Sequence, residues 1–178
     1  MKKRMKNYNT KSFWNKCWLS ENDRFYEHFY HIINLLPETG SVIDIGCGVG
    51  TLLKFIREKK PKLKLEGRDH SDIAIKKLKE VYIKGKVEKL PFISGKADII
   101  IATEVLEHMP DDMKLLANMA KVAPIAIITV PNNRLSPAEC NEHFRTYTVE
   151  SMAKKIGKYY SKYQIWDANG YLLIKAIN

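Results

Sequence analysis

Apolar residues Phe25, Phe29, Ile32, Ile33 and Leu36 recur at three- and four-residue spacing, which predicts an amphipathic helix over 20–36. Pro37-Glu-Thr-Gly40 stops it. The pattern then shortens to Ser41-Val-Ile-Asp-Ile45, a buried strand, followed by a glycine turn and a helix from Thr51 to about Lys60. Leu63–Asp69 alternates like a second strand, and Ser71 is placed to cap a helix running to about Glu80. Val81–Lys84 reads as a short third strand, and Ala97–Thr103 as a fully buried central one.

Beyond it the pattern predicts a helix over 111–122, an apolar strand over 125–130, a polar loop through Asn141 and a helix capped by Thr148. Tyr163–Trp166 and Tyr171–Ile177 flank Asp167-Ala-Asn-Gly170, a hairpin signal that makes the end of the sheet antiparallel. Strands alternating with helices imply an α/β three-layer sandwich, because right-handed crossovers place helices on both faces of a mainly parallel sheet. Residues 20–178 are expected to form one domain, with 1–19 as a basic N-terminal tail or lid. The aromatics Tyr8, Phe13, Trp14 and Trp18 either cover a cofactor or simply cover the sheet, and the second is the more ordinary role.

Composition narrows the classes. A chain of 178 residues with 45% hydrophobic and 28% charged content suits one soluble catalytic unit. No apolar run approaches the roughly 18 residues of a membrane span. Met1–Lys6 is basic, but no apolar segment follows as in an export signal, so a cytoplasmic setting is expected. The scattered Cys17, Cys47 and Cys140 show neither a disulfide framework nor metal-ligand spacing, and no metal is expected. The net charge of +10 favours anionic partners, but it comes mostly from lysines spread along the chain. Nucleic acid is therefore a possible partner without being the favoured one.

In open α/β sheets ligands bind at the carboxyl ends of the strands near the switch point, the position of Asp44-Ile-Gly-Cys-Gly-Val-Gly50. Glycines there let a ligand lie against the backbone, and the following helix presents amide N–H groups; a tight turn with no ligand has the same pattern. Asp69, nineteen residues after Gly50, ends the second strand, where an acid accepts hydrogen bonds from ribose hydroxyls or caps the next helix. A nicotinamide dehydrogenase would want glycine where Thr51 stands.

Together with Gly67-Arg-Asp-His-Ser71, Leu90-Pro-Phe92 and Glu104-Val-Leu-Glu-His-Met-Pro-Asp111, this glycine segment closely resembles the class I S-adenosylmethionine-dependent methyltransferases. The likeness covers roughly 41–130. It extends more weakly to Asn141–Glu150, similar to the segment before the last helix in small type-11 members. The resemblance implies a Rossmann-like fold with a seven-stranded sheet and S-adenosylmethionine as cofactor. It places Gly46, Cys47 and Gly48 about the methionine part, Asp44 at its amino group, Asp69 and His70 at the ribose, and Thr103 in the same pocket. Backbone at Val87 and the carboxylate of Glu88 would meet the adenine, although Lys86 departs from the usual acid near this point.

Methyl transfer from a sulfonium needs alignment above all, and a base only for a protonated acceptor. His108 and His143 are the candidate catalytic residues, with Arg145 placed to meet an anionic acceptor and Tyr147 in a packing role. His108 alternatively satisfies local backbone groups at a helix start. The expected acceptor is a small molecule; RNA or protein methylation and a noncatalytic regulatory module are the alternatives.

Overall fold

The computed structural model describes residues 9–20 and 25–178. The basic stretch Met1–Lys6 and Tyr8 lie outside the described residues, as does part of the expected 20–36 helix. Helices α1 (Lys11–Ser20), α2 (His28–Leu35), α3 (Thr51–Lys59), α4 (Asp72–Glu80), α5 (Asp112–Val122) and α6 (Val149–Ile156) surround seven strands. These are β1 (Gly40–Ile45), β2 (Leu63–Asp69), β3 (Lys84–Val87), β4 (Ile99–Thr103), β5 (Ile125–Pro131), β6 (Lys162–Asp167) and β7 (Tyr171–Ile177). The sheet order is β3-β2-β1-β4-β5-β7-β6, with β7 antiparallel to both its neighbours and the other pairings parallel. The order reverses between β1 and β4, which opens a crevice at their carboxyl ends.

Alternation along the central strands feeds two cores. Ile43, Ile45, Ile100, Ala102, Ile128 and Val130 face one side with Leu115, Leu116 and Met119 of α5 and Met152 and Ile156 of α6. Val42, Ile99, Ile101 and Ile127 face the other with Ile32 of α2, Leu52, Leu53 and Ile56 of α3, and Ile75 and Leu78 of α4. Strands buried on both faces read as continuous apolar runs, which is why β1, β4 and β5 were evident from sequence.

Residues 11–20, within the segment expected as a tail or lid, form helix α1, tied to α4 by the Lys11–Asp72 ion pair and a hydrogen bond from Ser71 to Asn15. Two expectations change. Phe25 stands outside α2, half exposed, its ring edge-on to Phe29 and Phe55. The third strand is Lys84–Val87, not Val81–Lys84. Val81 and Tyr82 turn out of α4, and the strand pairs with Glu66–Asp69 of β2 through its backbone. As a largely exposed edge strand, Lys84-Gly-Lys-Val87 carries no apolar pattern to reveal it.

Candidate active site

Asp44 comes near the end of β1, and the chain then leaves the sheet through Gly46 and Gly48, both in the left-handed region (φ +66° and +52°). A Cβ at Gly46 would meet the Val105 side chain at 2.5 Å, and one at Gly48 would meet the Trp18 ring at 2.6 Å. Glycine is needed there for its φ and for its lack of a side chain. Asp69 holds this turn from β2: its carboxylate accepts from the Gly48 amide (3.0 Å) and the Ser71 amide (2.8 Å). The Ser71 hydroxyl in turn caps α4 by accepting from the Ala74 amide. Asp69 thus organises two loops and still lines the cleft, where its oxygens keep lone pairs for a ligand.

The cleft between these loops is lined by Asp44, Gly46, Cys47, Gly48, Asp69, His70 and Thr103, so seven of the residues expected at a cofactor come together. Val87 and Glu88 do not line it. Val87 is exposed. The Glu88 carboxylate is engaged by Arg68 (2.8 Å), Lys86 (2.9 Å) and Ser94 (2.7 Å). Burial opposes its ionisation, but these bonds outweigh it and bring its pKa to about 2. Lys86, the residue that departs from the family pattern, is therefore part of a charge network closing the β2–β3 edge.

Several buried polar atoms of the cleft have no hydrogen-bond partner among the described residues: Asp44 Oδ1, His70 Nε2 and Trp18 Nε1. Unpartnered groups are uncommon in a finished interior, and their convergence in one cleft fits a polar ligand. Burial, and then the neighbouring Asp69, raise the Asp44 carboxyl well above its ordinary range. Burial raises Asp69 as well, against the bonds from the Ser71 and Gly48 amides. Burial lowers His70, and Asp69 partly offsets this. Two buried acids side by side favour a cationic ligand group, such as an ammonium or a sulfonium.

Of the two roles open to the aromatics of α1, covering a cofactor or covering the sheet, the less ordinary one agrees with their position. Trp14 and Trp18 stack at 6.1 Å and line the cleft, with Trp14 edge-on to His108 at 5.2 Å. They cover the cleft rather than the sheet.

The far wall begins after β4 with Glu104, at φ +54°, and the short 3-10 turn Leu106–His108. His108 lines the cleft, and His143 packs edge-on against it at 4.7 Å without lining the cleft itself. His108 Nδ1 lies 3.2 Å from the Glu142 carbonyl, and His143 Nδ1 lies 2.6 Å from that of Leu135. A carbonyl only accepts, so each Nδ1 carries a proton. Glu104 accepts from Thr129 Oγ1 (2.9 Å), and burial pushes its pKa up to about 8. Glu107 is fully buried, raised by that burial and by the adjacent Glu104. Both glutamates lie within a motif visible in the sequence, but nothing in the sequence says that their side chains point inward.

Arg145, expected to be placed for an anionic acceptor, is not among the residues lining the cleft. Its guanidinium binds the carbonyls of Met109 (2.7 Å) and Pro110 (2.8 Å), fastening the 141–147 loop to the 3-10 turn. Tyr147 is buried and donates to Asp112 (2.8 Å), so its packing role carries a hydrogen bond.

Comparison with known proteins agrees with this geometry. A family model described as a methyltransferase domain matches residues 18–171. Trans-aconitate 2-methyltransferase of Variovorax paradoxus is 28% identical over 110 residues, which are 57% of this chain and 42% of that protein. The magnesium protoporphyrin IX methyltransferase of Synechocystis PCC 6803, solved with bound SAH, superposes with a TM-score of 0.73 at 14% identity over 96% of both chains. Human N-acetylserotonin methyltransferase, in complex with SAM, gives 0.74 at 14% identity over 96% of this chain and 57% of that one. At such identities the structural likeness speaks for the fold, whereas the family match covers most of the chain. The chain belongs to the methyltransferase-domain family, in the Rossmann-like class that uses S-adenosylmethionine.

Proposed function

We propose that this chain transfers the methyl group of S-adenosylmethionine to a small-molecule acceptor by direct displacement. The observation that carries this reading is the cleft at the switch point, where Asp44, His70 and Trp18 converge with buried, unpartnered polar atoms. The cofactor supplies an electrophilic methyl on a sulfonium, and the chain's own groups bind, orient and exclude water. Asp44 is the proposed partner of the methionine ammonium, Asp69 and His70 of the ribose, and Gly46, Cys47, Gly48 and Thr103 the floor. His108 and His143 are proposed to act at the acceptor end, each ring oriented by the bond between its Nδ1 and a backbone carbonyl.

Small molecules are favoured because Trp14 and Trp18 narrow access to the cleft and the described residues add no further domain. The relatives act, by their names, on trans-aconitate, magnesium protoporphyrin IX and N-acetylserotonin. Cytoplasmic residence accompanies this reading; no helix among the described residues is long and apolar enough to cross a membrane.

Calorimetric titration with S-adenosylmethionine and, separately, with NAD tests it. Wild type is expected to bind the first and not the second, and Asp69→Ala to weaken binding on the order of 10- to 100-fold. Binding of NAD, or of neither, sinks the reading.

A further inference from the structure

We propose that Glu107, His108 and His143 form a binding site for a divalent transition-metal ion at the acceptor end of the cleft. One ligand atom from each residue lies within 4.8 Å of the other two. Ligands around a cation at about 2.1 Å stand roughly 3–3.5 Å apart, so the three are nearly assembled and close slightly on binding. Glu107 is 1% exposed, and apart from the adjacent Glu104 carboxyl its carboxylate oxygens meet no hydrogen-bond partner among the described residues. A carboxylate withdrawn from water beside a second acid is costly, and a cation between it and the imidazoles offsets that cost.

The surroundings have the form of a metal site's outer shell. Metal-binding histidines usually donate one ring N–H to a backbone carbonyl, which fixes the tautomer and orients the other nitrogen. His108 does so to Glu142 and His143 to Leu135. The two segments carrying the ligands are held together independently of any ion. The Phe144 amide donates to the Glu107 carbonyl (2.8 Å), and Arg145 clasps the carbonyls of Met109 and Pro110.

Two imidazole nitrogens with one carboxylate oxygen suit manganese, iron, cobalt, nickel or zinc better than magnesium or calcium, whose preferred shells are all oxygen. Three protein ligands leave coordination positions open. Resting on the methyl-transfer reading above, those positions are assigned to an oxygen donor of the acceptor, because His108 lines the cleft.

The test uses untagged, full-length, chelator-treated protein titrated calorimetrically with Mn2+, Zn2+ and Mg2+ in separate runs, without S-adenosylmethionine. One equivalent of Mn2+ or Zn2+ is expected to bind, with Mg2+ at least tenfold weaker. His143→Ala and Glu107→Gln are each expected to weaken Mn2+ binding on the order of 100-fold, with S-adenosylmethionine affinity of His143→Ala within about threefold of wild type. Pulsed electron paramagnetic resonance of Mn2+ on wild type, which needs no variant to fold, is expected to show coupling to imidazole nitrogen. Absence of stoichiometric binding, binding unchanged in folded variants, or no nitrogen coupling overturns the site. If S-adenosylmethionine binds and Mn2+ does not, the metal site fails while the methyltransferase reading stands; the converse result does the reverse.

Discussion

On the proposed reading, Asp44 ties stability against function. Its folded pKa is raised by burial and by Asp69, so the folded chain holds this proton more tightly than the unfolded chain does. The stabilisation is complete below the unfolded value and is lost as pH rises towards the folded one. At neutral pH an isosteric neutral side chain escapes this penalty. Asp44→Asn is accordingly expected to stabilise the ligand-free protein by ~1 kcal/mol or more in denaturant titrations at pH 7. The same variant is expected to bind S-adenosylmethionine on the order of 10- to 100-fold more weakly, because a charge-assisted contact is lost. A variant that is less stable and binds normally would remove Asp44 from the site. Glu104 and Glu107 were legible as letters of a motif, but not as an inward-facing buried pair, because that depends on the positive φ at Glu104 and the 3-10 turn after it.

Helix α2 carries a pH response of the opposite sign. His28 is buried between Tyr26, stacked at 5.1 Å, and Tyr171 at 4.8 Å, with Nε2 3.5 Å from Thr129 Oγ1. Burial, with a smaller contribution from His31, lowers its pKa to about 4. The stability linked to the neutral ring is whole above the unfolded value of roughly 6.5 and declines as pH falls from there towards 4. That window contributes roughly 2–3 kcal/mol. His28→Phe is expected to remove most of this loss when unfolding free energies at pH 7.5 and 4.5 are compared with those of wild type. An unchanged difference would place the acid sensitivity elsewhere. The helix itself was predicted from its apolar spacing; its late start at His28 was not, because Phe25 finds aromatic partners without joining the helical stripe.

Across the whole molecule, the cleft is closed by an element distant in the chain from its floor. Helix α1 brings Trp18 against Gly48 and Trp14 against His108, spanning the proposed cofactor and acceptor ends. Ligand binding is therefore expected to slow amide hydrogen exchange across residues 11–20, and Trp18→Ala to weaken S-adenosylmethionine on the order of tenfold. Exchange in α1 that is indifferent to the cofactor would reduce this helix to packing. Protein fluorescence offers a second readout, since two of the three tryptophans lie at the cleft and Trp166 on β6 does not.

The order of strands and helices, the glycine turn at the end of β1 and the acid at the end of β2 were determined by the sequence itself. Each is a local pattern: apolar periodicity, helix caps, or glycines where side chains cannot fit. The resemblance carried the cofactor from the same letters. The tertiary structure decided what depends on distant segments meeting. It placed Glu88 in an ion network with Arg68 and Lys86 instead of the cleft, made Arg145 a fastener of the 141–147 loop, and laid α1 over the glycine turn. It also brought His143 to within 4.7 Å of His108, although 35 residues separate them in the chain. No spacing rule reports such a pair, because its geometry is set by how a polar loop docks on a 3-10 turn through backbone hydrogen bonds.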